Sequence, residues 1–273
     1  NLQVLVRKRM VVFFSNEYEF MTKKAEFINS TGTEFVCTQL PLDLASWIYH
    51  YDSSQLVSTP HALNPRLYRD TGADRDVDIG FIGSLYHRQI GDKERTDLIM
   101  YFNDHGVAHG LACDIRLRNV PRETWAEFLN RCKGIVGAES GTYYLDSKGQ
   151  TMDTVRRLLL RDPDISFDEI WTPELTRDQE FRSGKAISSR HFEPIGTKTC
   201  QILVEGDYNG ILKAGEHYIA VKKDLSNIDD AIERFKDESY RSRIAQQAYD
   251  FAIENHTYDH RVATLLDQVL DTN

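Results

Sequence analysis

Short apolar runs alternate with amphipathic stretches along the chain, and this alternation predicts strands interleaved with helices. In the first part we expect strands at residues 11–14, 34–38 and 56–58, and helices at 20–28 and 42–49. The connector at residues 59–65 follows, and its two prolines prevent a helix from continuing through it.

A second series of elements follows the connector. We expect strands at residues 77–82, 107–114, 134–137, 200–204 and 217–221, and helices at 93–103, 121–132, 152–160, 189–196, 227–235, 238–254 and 257–270. In the last helix, Val262, Leu265, Leu266 and Val269 recur at helical spacing and are expected to pack against a sheet. Alternating strands and helices favour an α/β fold with parallel sheets covered on both faces.

Composition narrows the classes of function. The 273 residues carry a net charge of −9, which argues against general affinity for the nucleic-acid backbone. No run approaches the roughly 20 apolar residues of a membrane-spanning helix, and no signal-peptide pattern opens the chain. The four cysteines are far apart and lack a C-x-x-C pair, so we expect no zinc site and a reduced, cytoplasmic compartment.

Two loops after predicted strands are candidate phosphate or sugar sites, because ligands of open parallel sheets bind beyond the carboxyl ends of strands. In residues 83–95, the backbone of Gly83 and Ser84 together with Arg88 or Lys93 is suited to a diphosphate. An ordinary turn with solvated charges is the alternative. In residues 137–142, Glu139 and Ser140 are candidates for hydrogen bonds to a sugar or base, or for a solvated turn.

A third segment, residues 188–201, carries the most information. Ser188 or Ser189 can begin a helix, and Arg190 brings a planar cation that suits phosphate oxygens. Glu193 lies one turn further on, where a carboxylate can accept two ribose hydroxyls. A structural ion pair between Arg190 and Glu193 is the alternative interpretation.

Other motifs argue against metal and nicotinamide enzymes. The sequence has no H-E-x-x-H and no G-x-S-x-G, and His256 and His260 fit a surface or interdomain role better than a metal site. A sugar-phosphate epimerase of the Rossmann type is disfavoured, since no G-x-G-x-x-G follows a first strand.

The segment at residues 188–208 resembles the donor-binding segment of GT-B glycosyltransferases. It is similar to that of spore-maturation-type and surface-polysaccharide enzymes of the glycosyl-transferases-group-1 kind. The shared features are Arg190, Phe192, Glu193, Gly196 and the strand at 200–204. The stretch at 256–261 resembles that group's C-terminal signature, and residues 59–64 resemble its interdomain connector.

The resemblance implies a nucleoside-diphosphate sugar as donor, bound to the C-terminal domain, with no separate cofactor and no metal. Glu193 would contact the ribose, Arg190 and Lys198 would lie near the phosphates beside Thr197, and Arg88 would be a further candidate. A glycan, lipid-linked or protein acceptor would approach from the N-terminal domain, and peripheral membrane contact is compatible with this arrangement. The leaving-group charge would be offset by protein cations and helix dipoles.

The sequence departs from this family at one position. Related retaining enzymes often carry a second glutamate eight positions before the ribose-binding one, and Lys185 stands there. The stereochemical outcome is therefore open. An inverting reaction would need a general base facing the acceptor, for which His61 and Glu17 are weak candidates with structural roles as the alternative.

The resemblance also divides the chain. We expect residues 1–62 to be the truncated end of an N-terminal Rossmann-like domain on the acceptor side, and residues 63–254 to be the nucleotide-sugar-binding domain. Residues 255–273 are expected to form a C-terminal helix that packs back across both. The alternative function is a non-catalytic nucleotide-sugar-binding module or a degenerate Rossmann pair.

Overall fold

The computed structural model of the chain describes residues 10–49, 55–177 and 180–270. A first sheet has three parallel strands in the order β1-β2-β3. Its strands and connecting helices are β1 (Val11–Phe13), α1 (Met21–Thr31), β2 (Phe35–Thr38), α2 (Leu42–Tyr49) and β3 (Gln55–Ser58).

A second sheet has five parallel strands in the order β5-β4-β6-β7-β8. These strands are β4 (Val77–Ile82), β5 (Cys113–Arg116), β6 (Cys132–Gly137), β7 (Cys200–Val204) and β8 (Ile219–Val221). The helices of this part are α3 (His87–Ile90), α4 (Glu94–His105), α5 (Arg122–Arg131), α6 (Gln150–Arg161), α7 (Phe167–Ile170), α8 (Pro173–Thr176), α9 (Ser189–Gly196), α10 (Ile228–Lys236), α11 (Glu238–Asn255) and α12 (Tyr258–Leu270).

Helices cover both faces of the second sheet. On one face, Phe102 of α4 and Phe235 of α10 lie in a cluster of fully buried residues. On the other face, Leu129 of α5 and Phe192 of α9 are equally buried. Because side chains of a strand alternate between faces, the apolar runs of β4 and β7 supply both clusters. The predicted α/β class with parallel sheets is therefore confirmed.

Contacts across the connector hold the two sheets together. The Leu63 N–H donates to the His256 carbonyl at 2.8 Å, and the Tyr258 N–H donates to the Leu63 carbonyl at 3.1 Å. The Asn209 side chain donates to the Gln39 carbonyl at 2.9 Å. The carboxyl ends of the second sheet therefore face the first sheet. The domain boundaries at residues 62 and 254 stay predictions.

One predicted strand is wrong in its first half. Residues 107–114 were expected to be extended, but Gly106–His109 form a 3-10 turn and β5 begins only at Cys113. Gly110 adopts a φ of 73°, a conformation that glycine reaches without strain. Val107 is 81% exposed. Glycines at both ends of this segment let the chain turn, and one exposed valine does not hold a strand.

The predicted packing of α12 holds for only one side of the helix. Leu265 and Val269 pack against the first sheet. Val262 and Leu266 are 52% and 48% exposed. Among the described residues, the side of α12 that carries Leu265 and Val269 is therefore the one that packs on the first sheet. None of the helices in the described ranges combines the length and apolar character that a bilayer crossing requires.

Candidate functional site

The amino end of α9 lies at the carboxyl ends of three neighbouring strands. Arg190 donates to the carbonyl of Ile82, the last residue of β4, at 2.7 Å. The His191 ring bonds the Ala138 carbonyl, just after β6, at 3.0 Å. Beyond β7, the Asn209 amide oxygen accepts from the Ile187 N–H at 2.7 Å. The start of this helix is therefore fixed where ligands of parallel sheets bind.

His191 positions this helix start as a neutral side chain. Its Nδ1 accepts from the Ser188 N–H at 2.9 Å, so Nε2 carries the proton donated to Ala138. Burial lowers the pKa of His191 to about 4, because the charged form would lose its hydration. The histidine thereby links Ser188 to the loop after β6.

Arg190 and Glu193 both contact one tryptophan, Arg190 over the ring face and Glu193 at the indole N–H. The Arg190 guanidinium lies 4.2 Å from the centre of the Trp125 ring, and Trp125 Nε1 donates to Glu193 at 2.7 Å. Among the described ion pairs, Arg190 has no carboxylate partner, so the alternative Arg190–Glu193 pair is not formed. The guanidinium remains available for an anion.

Arg95 is a second cation at the same place, and the sequence analysis missed it. Its guanidinium is held 5.1 Å from the Phe81 ring and 4.4 Å from the Tyr86 ring, and it donates to the Ser84 carbonyl. Burial lowers the pKa of Arg95, and the positive charge of Arg190 lowers it further. Both arginines line one narrow crevice of about 40 Å³. Its stacking on Phe81 and Tyr86 is a tertiary arrangement, which no local sequence pattern shows.

A wider cleft of about 300 Å³ separates this site from the first sheet. Glu17 lines the cleft and is only 3% exposed. Its carboxylate accepts from the Thr38 hydroxyl at 2.7 Å and from the Gln39 N–H at 3.2 Å. Burial raises the pKa of Glu17 to about 7, although those hydrogen bonds oppose the shift. Near neutral pH this side chain can hold or release a proton.

A third hollow of about 220 Å³ adjoins the cleft and is lined by Glu193. Tyr68, Arg122 and Tyr258 also line it, and it shares Ser189 with the cleft. His61 lines both hollows, and burial lowers its pKa while the charge of Glu193 opposes that shift. The crevice, the cleft and this third hollow, which we call the Glu193 hollow, meet at the start of α9.

Some residues of the two earlier candidate loops lie near Arg190. A side chain on Gly83 would lie 3.2 Å from the Arg190 guanidinium, and Ser140 lines both the crevice and the cleft. Ser84 is exposed and contributes its carbonyl to Arg95. The structure therefore groups Gly83 and Ser140 with the start of α9.

Other candidates from those loops are engaged elsewhere. Arg88 donates to the carbonyls of Pro163 and Ile165 at 2.8 Å each, so it stabilises that loop and not the crevice. Lys93 lies over the Phe167 ring. Glu139 is buried and accepts from the Tyr208 N–H at 2.7 Å, which places it behind the site as a support for the loop after β7. Neither Arg88 nor Glu139 lines the crevice or the cleft, and their contacts with a donor stay predictions.

Thr197 and Lys198 lie at the far end of α9. The eight residues of α9 span roughly 12 Å, and Lys198 lies two residues before β7, at the amino end of the sheet. The Lys198 ammonium lies 4.7 Å from the centre of the Tyr249 ring, and Thr197 is fully buried. Because α9 and β7 run in opposite directions, Lys198 is not among the residues that line the crevice with Arg190.

Lys185 does not face the cleft. Its ammonium lies 2.7 Å from Asp92 and 3.6 Å from Glu94, and all three side chains are buried. Its neighbours Gly184 and Ala186 line the cleft. Among the described residues, no group of three or more histidine, cysteine or acidic side chains gathers so that a metal ion could be held.

Comparison with protein families matches residues 159–267 to a model described as glycosyl transferase-like. The matched range includes α9, Arg190 and Glu193. No curated protein is similar enough in sequence to match the chain.

Solved structures of low sequence identity share the fold. Sucrose-phosphate synthase from Thermosynechococcus elongatus superposes with a TM-score of 0.54 at 11% identity, covering 95% of this chain and 64% of that one. The Anabaena protein HepE, solved with UDP and glucose, gives 0.55 at 9% identity and covers 97% and 72%. A variant of S. aureus TarM, solved with fondaparinux, α-GlcNAc-glycerol and UDP, gives 0.55 at 10% identity and covers 95% and 50%.

These similarities establish the fold. The chain has the parallel α/β architecture of GT-B glycosyltransferases and matches a glycosyl-transferase-like family model over its C-terminal part. It spans 64% of the sucrose-phosphate synthase chain and 50% of the TarM chain.

Proposed function

We propose that this chain is the donor-binding part of a glycosyltransferase that moves a sugar from a nucleoside diphosphate to a glycan, lipid-linked or protein acceptor. The fold, the family match over residues 159–267 and the hollows around α9 support this proposal. Membership of the spore-maturation-type subfamily is part of the proposal, on the residues from Arg190 to Gly196. We place the activity in the cytoplasm, consistent with four free cysteines.

One observation carries the proposal: two guanidinium groups and a helix amino end face a common crevice, and no carboxylate of the described residues lies at ion-pair distance from either guanidinium. Arg190 and Arg95 both line it, together with Ser188 at the start of α9. Two unpaired cations at close range repel each other, so their placement costs free energy in the empty protein. A diphosphate would remove that repulsion and would also accept from the free N–H groups of the helix start.

The surrounding hollows fit the rest of a donor molecule. The nucleoside would lie in the Glu193 hollow, where the Glu193 carboxylate, which accepts from Trp125 and from the Tyr68 hydroxyl, would meet the ribose hydroxyls. The transferred sugar would then lie in the cleft, between Arg190 and Glu17. Ser140 and Ser189 would contribute hydroxyl contacts. No separate cofactor is required.

The transfer step follows from this arrangement. An acceptor oxygen attacks the anomeric carbon of the sugar, and the bond from that carbon to the diphosphate oxygen breaks. The electron pair stays on the diphosphate, whose added charge is stabilised by Arg190 and Arg95. If the acceptor attacks from the face opposite the diphosphate, Glu17 takes the acceptor proton, for which a pKa of about 7 is suited. His61 is the second candidate for this proton.

A nucleotide-binding panel tests the proposal. UDP, GDP, ADP, CMP and dTDP would be titrated into the full chain by calorimetry. We expect one diphosphate to bind, and Arg190→Ala to weaken it at least about tenfold through loss of a charge-assisted contact. Lys198→Ala is the matched control, since that cation lies at the other end of α9.

Two results would decide against parts of this proposal. Equal affinity in wild type and Arg190→Ala would remove the diphosphate from the crevice. Tight donor binding without hydrolysis or transfer, in the longest available form of the protein, would support the non-catalytic binding module.

A further inference from the structure

A trough adjoins the cleft and is lined by a different set of residues. Two adjoining hollows of about 220 and 550 Å³ run between the start of α1 and the length of α6. Both are lined by Phe20, Asp153, Arg156 and Leu160. The trough continues from the cleft along the backbone, because Glu17 and Tyr18 line the cleft and the next residues, Glu19 and Phe20, line the trough.

The trough has a cationic rim. Lys23, Arg156 and Arg157 line it and are exposed. Within the described ranges, none of these three cations has a carboxylate at ion-pair distance. The chain as a whole carries a net charge of −9, whereas these three unpaired cations concentrate positive charge along one trough. They favour a ligand that carries negative charge.

The floor of the trough offers apolar and stacking surface. Arg156 lies 3.9 Å from the centre of the Phe20 ring, and Leu160 is 72% exposed. Phe20 adopts a φ of 55°, which is costly for a bulky residue and turns the chain between the cleft and α1. A flat side-chain surface edged by donors suits sugar rings, whose faces are apolar and whose edges carry hydroxyls.

We propose that the trough binds an acidic glycan, and that this glycan is the acceptor whose end enters the cleft. The inference rests on the proposed glycosyl transfer, since the cleft is the donor site. Arg156 and Arg157 would hold uronate carboxylates through their planar forks. Asp153 and Glu19 would accept from sugar hydroxyls. A trough between two helices suits a chain of sugars that can lie along it better than the broad surface of a membrane.

The test uses two sugar hexamers of equal length. A fluorescently labelled α-1,4-linked galacturonate hexamer and its uncharged counterpart maltohexaose are titrated into the full chain at about 0.15 M salt, where exposed charges are already partly screened. We expect the acidic hexamer to bind at least about tenfold more tightly. The double variant Arg156→Gln and Arg157→Gln should reduce its affinity about tenfold, because two charge-assisted contacts are lost.

Matched controls separate charge, folding and donor binding. Arg234 and Arg243 are equally exposed on α10 and α11, and changing both to Gln should leave the affinity unchanged. UDP affinity should be equal in both double variants. If the acidic hexamer binds the wild type but no nucleoside diphosphate does, the proposed donor site fails while the glycan site stands.

Three outcomes would overturn the inference. Equal affinity for the two hexamers would remove the role of charge. Undiminished affinity in the Arg156/Arg157 variant would place the glycan elsewhere. Vesicles of 30% phosphatidylglycerol that bind the wild type but not this variant, with no binding of the hexamer, would assign the rim to a membrane surface instead.

Discussion

Half-buried arginines lie at both ends of the second sheet, and their surroundings differ between the two ends. At the amino end, Arg75 donates to the carbonyls of Leu129, Cys132 and Thr197 and to the Thr199 hydroxyl. Both terminal nitrogens of its guanidinium meet acceptors of the protein itself. This arginine stabilises the junction between β4, α5 and β7.

At the carboxyl end, Arg190 and Arg95 each donate to one backbone carbonyl and otherwise pack on aromatic rings. Asp70 lies 3.6 Å from Arg75, whereas neither Arg190 nor Arg95 has a carboxylate at ion-pair distance among the described residues. The number of protein acceptors around each guanidinium therefore distinguishes a structural cation from one that can bind a ligand. A structural cation is saturated by the protein, and a ligand-binding cation retains open donors.

The largest expected effect concerns the amino end. Arg75→Met should lower the free energy of unfolding by about 3 kcal/mol, because several buried carbonyls lose their donor. Urea denaturation followed by circular dichroism measures this loss. The affinity of the folded variant for its nucleoside diphosphate should not change. A variant that keeps its stability but loses the ligand would break the distinction between the two ends.

Much of the fold could be predicted from the sequence. The strands Val77–Ile82 and Cys200–Val204 and the helices Leu42–Tyr49 and Ser189–Gly196 begin and end where the sequence analysis placed them. Their apolar runs are bounded by proline, glycine, serine or charged residues, so local signals and burial agree. The short helices such as His87–Ile90 were missed, because four residues carry too little periodicity.

The site could be predicted only in part. Arg190 follows a clear helix start, and the structure places it at the carboxyl ends of the strands. Lys198 is close to it in sequence but far in space, because a helix and the strand after it reverse direction. Arg95 depends on Phe81 and Tyr86 from two other segments, which no local pattern shows. Tertiary stacking, and not motif spacing, selects that cation.

Glu17 is intermediate between the saturated Arg75 and the less saturated Arg190. It is buried at the carboxyl-end cleft, yet its carboxylate accepts from two protein donors. In the folded chain its pKa is about 7, above the ordinary 4.5, so the native state binds more protons between these values. The stability that protonated Glu17 contributes is therefore complete below pH 4.5 and is lost as the pH rises through 7.

The variant Glu17→Gln isolates this contribution. The difference in free energy of unfolding, wild type minus variant, should fall by about 2 kcal/mol between pH 5 and pH 7. Urea denaturation at both pH values measures it, and other titrating groups cancel in the difference. Parallel profiles would mean that Glu17 is saturated like Arg75 and has no proton to exchange.

The variant Arg95→Met should have the smallest effect on stability, and it separates a ligand-binding role of Arg95 from a structural one. Arg95→Met keeps an apolar stem between Phe81 and Tyr86 but removes a charge that burial and Arg190 both disfavour. The free energy of unfolding should therefore change by less than about 1 kcal/mol and can rise. Affinity for the nucleoside diphosphate should fall about tenfold, because one cation of the crevice is gone.

Thermal unfolding and calorimetric titration of the same Arg95→Met sample separate these two effects. Arg95→Lys is the control, since it keeps the charge but not the planar fork, and its affinity should fall between those of wild type and Arg95→Met. A stability loss as large as that of Arg75→Met, with ligand affinity intact, would make Arg95 a structural residue. The arginines at both ends of the sheet would then be structural, because the open donors of Arg95 would not bind a ligand.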